Sequence, residues 1–240
     1  MDTIKINKGN AKIIAHRGLS GIEVENTNSA FVAAGNRSYF GIETDVRNTA
    51  DGNFVLLHDD TTERCGIDVL SPEKCSLQTV LSVQLKDKDG VRGRYDLRVP
   101  EMIDYIRICK RYGKVSVLEF KGLYNDEQMV KLVEQIKTVT ELENIIFISF
   151  AFDNLVTLRR HYPEAHCQFL TGEYKQEILD LLVEHGMGLD IWSRALDCEE
   201  KVKHILEMGI ELNVWTVDDP AEAEKLISWG AQYITSNILE

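Results

Sequence analysis

The chain has 240 residues, 44% of them hydrophobic and only four of them proline, enough for the core of one α/β barrel, a class that runs to about 250 residues. Its formal net charge of −12 excludes nucleic acid as a bulk partner, because phosphate backbones attract basic surfaces. No stretch approaches the roughly 20 apolar residues of a membrane span, Met1-Asp2-Thr3-Ile4-Lys5 opens no secretion signal, and five cysteines without zinc-like spacing read as reduced thiols of a cytoplasmic protein.

In chain order, Lys12-Ile13-Ile14-Ala15 predicts the first strand, residues 28–38 a helix and residues 41–46 the second strand. Residues 115–119, 145–149, 166–170, 188–191, 212–217 and 233–235 predict six more. From the third strand onward each gap holds a helix-sized pattern, as in residues 126–139 and 221–229. Such alternation implies parallel strands joined by right-handed crossovers, and eight units imply closure into a (β/α)8 TIM barrel. An open doubly wound sheet is the alternative, but no glycine-rich phosphate loop follows the first strand. The rhythm breaks once, after strand two. There Asn53-Phe54-Val55-Leu56-Leu57 reads as an extra strand beyond the Asp51-Gly52 turn. Residues 60–98 read as charged and irregular, with a short helix near 76–83 and Pro100 in the first turn of the next helix. The expectation is one domain over 1–240, with an insertion at about 49–98 above the barrel mouth.

Polar residues gather where strands end, the end at which β/α barrels build their active sites. His16-Arg17-Gly18 follows strand one, and His58-Asp59 follows the extra strand. Glu43 and Asp45 lie two apart on strand two and so face one side, and Glu119 and Lys121 repeat that spacing on strand three. Trp215 lies near the end of strand seven. Three facing carboxylates repel one another, and a cation resolves the conflict. All-oxygen ligation favours magnesium, calcium or manganese. Glu43, Asp45 and Glu119 are therefore candidate metal ligands, with salt bridges to Arg17 and Lys121 as the alternative. His16 and His58 are candidate proton-transfer groups. Arg17 and Lys121 can hold a phosphate against the unfavourable overall charge, and Trp215 offers an apolar wall for a polyol. His161, His185 and His204 read as surface residues of helices, and His166 opens a strand at the opposite end of the barrel.

These residues form an ordered set that resembles the glycerophosphodiester phosphodiesterases. His16-Arg17-Gly18, then Glu25-Asn26-Thr27-Asn28-Ser29-Ala30-Phe31, is similar to that family's opening signature. Glu43-Thr44-Asp45-Val46, Thr49-Ala50-Asp51-Gly52 and Val55-Leu56-Leu57-His58-Asp59 continue it in order. Glu119-Phe120-Lys121, Ser149-Phe150, Trp215-Thr216-Val217 and Ile234-Thr235-Ser236-Asn237 match its later elements. The resemblance spans residues 12–238, and one departure is Val24, where the family usually has proline.

The resemblance implies a divalent cation, Mg2+ or Ca2+ with Mn2+ as a further option, and hydrolysis of small-molecule glycerophosphodiesters to sn-glycerol 3-phosphate and an alcohol. By position, His16 and His58 correspond to the acid/base pair, and Glu43, Asp45 and Glu119 to the metal ligands. Arg17 and Lys121 correspond to the phosphate contacts, and Trp215 to a substrate-lining aromatic. A lysophospholipase D-like or cyclising phosphodiesterase on the same barrel is the rival enzyme. A non-catalytic barrel that binds phosphoryl ligands is the rival of another class, but such a chain should have lost a ligand or a histidine. Homo-oligomerisation is left open.

Overall fold

The computed structural model describes residues 2–92 and 94–240. The chain begins β1 (Lys12–Ala15), α1 (Asn28–Gly35), β2 (Gly41–Asn48), β3 (Phe54–Leu56), α2 (Leu77–Ser82). It continues α3 (Met102–Tyr112), β4 (Val115–Phe120), α4 (Asp126–Lys137), β5 (Ile145–Ser149), α5 (Phe152–His161), β6 (His166–Thr171). Then come α6 (Gln176–His185), β7 (Gly188–Trp192), α7 (Glu199–Glu207), β8 (Leu212–Trp215), α8 (Pro220–Trp229) and β9 (Tyr233–Ser236). Parallel pairing runs β1-β2-β4-β5-β6-β7-β8-β9 and returns to β1, which closes a (β/α)8 barrel. β3 is the extra strand and pairs antiparallel with the last turn of β2, Val46 facing Leu56 and Asn48 facing Phe54.

Strand alternation divides the residues between two cores. Ile42, Val46, Leu118, Phe120, Phe147, Cys167 and Val214 pack outward against the helices in the main core. Ile14, Val117, Ile146, Ile148, Leu170 and Tyr233 fill the barrel interior. On β2 and β4 the inward phase continues from Gly41 and Val117 into Glu43, Asp45 and Glu119. Side-chain oxygens supply several helix N-caps: Thr27 accepts from Ala30 N at α1, and Asp219 from Glu222 N at α8, where Pro220 follows in the first turn. At α4, Asn125 and Gln128 form a reciprocal capping box.

The insertion carries a small core of its own, Val80, Val83, Leu85, Leu97 and Val99, which packs on Val24 and Val55. It is more regular than expected: Gly66 bridges Leu85, and Gln84 bridges Arg98. The helix after it starts later than expected. Leu56 N donates to Pro100 O, and Val55 bridges Glu101, so the chain stays extended through Pro100 and α3 begins at Met102. The first helix ends at Gly35 rather than residue 38, and the strand expected to reach Val217 ends at Trp215. All five cysteines are free, and no helix among the described residues is long and apolar enough to cross a membrane.

Phe120 holds the outer face of the strand that carries Glu119, stacking on Phe147 at 5.6 Å and touching Tyr124 at 5.0 Å between ring centres. Phe120→Ala should cost about 3–5 kcal/mol of stability, the usual range for deleting a buried aromatic ring. Urea unfolding checks this, and a loss below about 1 kcal/mol would mean that β4 is not anchored by this ring.

Candidate active site

Five segments bring the predicted site residues to one mouth. Gly41 to Asn48 is long for a strand, so β2 presents Glu43, Asp45 and Arg47 inward in succession. Beside it β4 aligns Glu119 with Asp45 in register. After β1 the chain turns sharply: Arg17 has φ 52° and Gly18 φ 75°. A Cβ on Gly18 would lie 2.7 Å from that of Ala30, so only glycine permits the close approach of this loop to α1. The turn places Arg17 N, donating at 2.8 Å, on Glu43 Oε2.

Glu43, Asp45 and Glu119 are buried, and one oxygen of each lies within 4.8 Å of the others. Burial, then Asp45 and Glu119, pushes the Glu43 carboxyl well above its ordinary range. Burial and then Asp45 push Glu119 up to about 7. Burial opposes the charge on Asp45 too, but Arg17, Lys121 and His58 prevail and hold it below the usual carboxylate range. The contacts agree: Arg17 Nε is 3.5 Å from Asp45 Oδ2, Lys121 Nζ 3.5 Å from Asp45 Oδ1 and 2.8 Å from Glu119 Oε1. Asn26 Nδ2 donates to Asp45 Oδ2 at 2.7 Å while its own oxygen accepts from Thr44. Even so, Asp45 Oδ1 and Arg17 Nε remain buried without a hydrogen bond. A buried acceptor among three acids suits a hard cation, and a buried donor beside it suits an anion.

The two histidines flank the cluster and share one cavity of about 220 Å³ with Arg17, Glu43 and Glu119. His16 Nδ1 is 2.8 Å from Asn237 Oδ1. The Asn237 amide is oriented by its Nδ2, which donates to Asp218 at 2.6 Å, so its oxygen faces the ring and Nδ1 carries the proton. His16 Nε2 is then free and lies 3.9 Å from Glu43. Burial, and then Arg17, lowers His16 to about 4, so the ring is neutral at neutral pH. His58 Nδ1 lies 2.6 Å from Asp59. The loop bearing it is clamped by Arg47, which donates to Leu57 O at 3.1 Å and His58 O at 2.8 Å. From the insertion Arg64 forks onto both Asp59 and Glu25, and Glu25 accepts from Arg17 at 2.9 Å.

The opposite wall of the cavity is apolar: Ile148, Phe150, Leu170 and Trp215, with Asp190 among them. Phe150 meets Trp215 edge to face at 5.6 Å, and Trp215 Nε1 donates to Asp190 O at 3.1 Å. Every site residue named from the sequence therefore reaches this mouth. The histidines set aside lie elsewhere: His161 pairs with Asp126, His204 with Gln176, and His166 with Glu211. Sequence reasoning gave no role to Asn26, Arg47, Arg64 or Asp190. The first two lie on or beside β2, and the inward phase of that strand could have signalled Arg47. Arg64 lies in the irregular insertion and Asp190 mid-strand, so neither had a spacing signal.

A closed β/α barrel with acids, bases and cations converging on its C-terminal mouth is the architecture of an enzyme. Residues 16–239 match the model of the glycerophosphoryl diester phosphodiesterase family, and the chain belongs to that family. It is 26% identical to a glycerophosphodiester phosphodiesterase of Caldanaerobacter subterraneus subsp. tengcongensis, over 94% of this chain and 93% of that protein. It is 25% identical to mouse glycerophosphodiester phosphodiesterase 1, over 95% of this chain and 78% of the relative. Among solved structures it resembles an Oleispira antarctica phosphodiesterase in complex with the product sn-glycerol-3-phosphate. The TM-score is 0.87 at 25% identity, over 95% of this chain and 93% of that one. The protein is thus an enzyme of the class that hydrolyses glycerophosphodiesters.

Free of cation, the cluster sets a pH dependence of definite sign. Glu119 rises from 4.5 to about 7, so the folded chain keeps a proton through a range where the unfolded chain has released it. That contribution is complete below pH 4.5 and is lost as pH rises toward 7. Glu119→Gln abolishes the titration, so its Tm advantage over chelator-treated wild type should widen between those two pH values. Thermal melts check this, and an advantage independent of pH would mean that Glu119 is not raised in the folded state.

Proposed function

We propose that this enzyme hydrolyses glycerophosphodiesters to sn-glycerol 3-phosphate and an alcohol, with a divalent cation and with His16 and His58 as its acid/base pair. The observation that carries the reading is the meeting of both histidines, Arg17 and the acidic cluster in one cavity. Glu43, Asp45 and Glu119 would hold the cation; their all-oxygen donor set and the unpartnered Asp45 Oδ1 support magnesium, calcium or manganese. When bound, the cation supplies positive charge to the phosphoryl oxygens.

Arg17 and Lys121 hold the same oxygens from the protein side, and the free Nε of Arg17 is a donor for them. His16, neutral and with Nε2 unprotonated, takes a proton from the attacking oxygen. That oxygen belongs either to water or to the glycerol 2-hydroxyl, the second route giving a cyclic phosphate that is hydrolysed later. As the bond from phosphorus to the alcohol oxygen breaks, His58 gives its proton to the leaving oxygen, its Nδ1 edge fixed by Asp59. Trp215 packs on the carbon face of the glycerol. We place the activity in the cytoplasm, a reading that the five free cysteines support.

Chelation should abolish diesterase activity and a hard divalent cation restore it. His16→Ala or His58→Ala should lower kcat by about 10²–10⁴-fold, the range for loss of a positioned acid or base. The double variant should be little worse than the poorer single one, since the two act as a unit. Assays on glycerophosphocholine, glycerophosphoethanolamine and glycerophosphoglycerol check this, with rates expected to vary little among the leaving groups. Full turnover by exhaustively stripped enzyme would remove the cation from the mechanism, and near-normal turnover of a single variant would remove that histidine.

A further inference from the structure

We propose that Asp190 is the residue that reads the glycerol, its carboxyl hydrogen-bonding a free hydroxyl of that moiety. The proposal rests on the function just given and adds a specificity determinant outside the acidic cluster. Asp190 sits mid-strand on β7, paired in register with Leu170 on one side and Asn213 on the other. It lines the same cavity as the two histidines, but from the apolar wall, between Leu170 and Trp215. Among the described residues it is the only carboxyl that β5 to β9 contribute to this lining.

One of its oxygens is left without a partner. Asp190 is 2% exposed; its Oδ1 is buried with no hydrogen-bond partner, as is Nδ2 of its register neighbour Asn213, so a polar ligand group between them would meet an acceptor and a donor. Native structures rarely leave a buried carboxyl oxygen in that state without a reason in bound water, ligand or chemistry. It does not belong with the metal-ligand set: the three oxygens that lie within 4.8 Å of one another come from Glu43, Asp45 and Glu119. Arg17 and Lys121 are engaged with Asp45 on the opposite wall, so a phosphate would find no counter-charge beside Asp190.

A hydroxyl is the complementary partner. Burial pushes the Asp190 acid well above its ordinary range, with Asn213 opposing the rise. A neutral carboxyl both donates and accepts, as a hydroxyl does, so one alcohol can satisfy both of its edges. Its backbone oxygen also fixes the indole of Trp215 at 3.1 Å. The acid and the ring thus form one unit, the ring covering carbon and the acid reaching oxygen. Polar discrimination of this kind is strong, because an analogue lacking the hydroxyl leaves the buried acid unpaired.

The test compares sn-glycero-3-phosphocholine with the phosphocholine esters of 1,2-propanediol and 1,3-propanediol, each lacking one glycerol hydroxyl. In wild type, one analogue should fall about 10–100-fold in kcat/KM, the range for unpairing one buried hydrogen bond. In Asp190→Ala that ratio should collapse toward one. In Asp190→Asn, which keeps a neutral donor and acceptor, most of it should survive. Asp190→Ser serves the same purpose if the alanine variant does not fold. The same ratio in wild type and Asp190→Ala, a wild-type ratio near one, or a fall in magnesium affinity of Asp190→Asn in place of the ratio change would each overturn the proposal.

If wild type cleaves none of the three diesters, the proposed function fails. Asp190 is then judged by calorimetry with glycerol 3-phosphate and the two propanediol phosphates. Tighter binding of glycerol 3-phosphate by wild type but not by Asp190→Ala would support the residue's role, and equal binding by both would end it.

Discussion

Three carboxylates share one buried patch, and their mutual repulsion governs what surrounds them. At separations near 4.8 Å each ionised pair costs about 3–4 kcal/mol in a medium of effective dielectric roughly 20. Burial adds to that cost, which is why Glu43 and Glu119 are both displaced upward. Asp45, touched by both Arg17 and Lys121, is the one of the three displaced downward. The ion pairs extend outward from Arg17 to Glu25, Arg64 and Asp59. If all were ionised, the five carboxylates of this network, Glu43, Asp45, Glu119, Glu25 and Asp59, would face three cations, Arg17, Lys121 and Arg64, and two negative charges would remain.

Strand geometry is what makes this patch affordable. Inward residues of β2 and β4 alternate with Ile42, Val46, Leu118 and Phe120, which lie in the main core, so the strands that carry the charges are also among the best anchored. The opposite half of the mouth, β5 to β8, contributes Ile148, Leu170 and Trp215 in the same inward phase. One cavity therefore has a charged wall and an apolar wall set by strand order alone. A phosphodiester of glycerol has the same division, with anionic phosphate and a carbon backbone side by side.

How much of this was legible in the sequence differs with the kind of interaction. The barrel strands show as short apolar runs, because each must bury its outer phase against helices. Glu43, Asp45, Glu119 and Lys121 show because period-two spacing fixes their common face. The extra strand showed too, since the Asp51-Gly52 turn precedes an apolar run. Pro100 misled because proline suits the first turn of a helix, while here a tertiary contact, Leu56 N to Pro100 O, keeps it extended. Arg64 and Asp190 could not be found by spacing. The role of Arg64 depends on how the insertion packs, and that of Asp190 on a strand register that brings it beside Trp215.

The two histidines are held by different means. His16 follows directly from β1, and its ring is set by Asn237, itself fixed by Asp218 and Ser20. His58 stands on the loop after β3, which Arg47 clamps from below through two carbonyls. Its ring partner Asp59 is held from above by Arg64, whose side chain is 49% exposed. Arg47 is buried and its grip resists screening, whereas exposed ion pairs contribute little and weaken with salt. The Arg64 fork gains strength from geometry instead, since it engages two carboxylates at once, and Glu25 returns the connection to Arg17. The insertion is thereby tied through Arg64 to Glu25, which accepts from Arg17, while Arg94 adds a second tie to Glu23. Because His58, Asp59 and Arg64 all belong to this segment, its packing sets the position of His58 relative to Arg17.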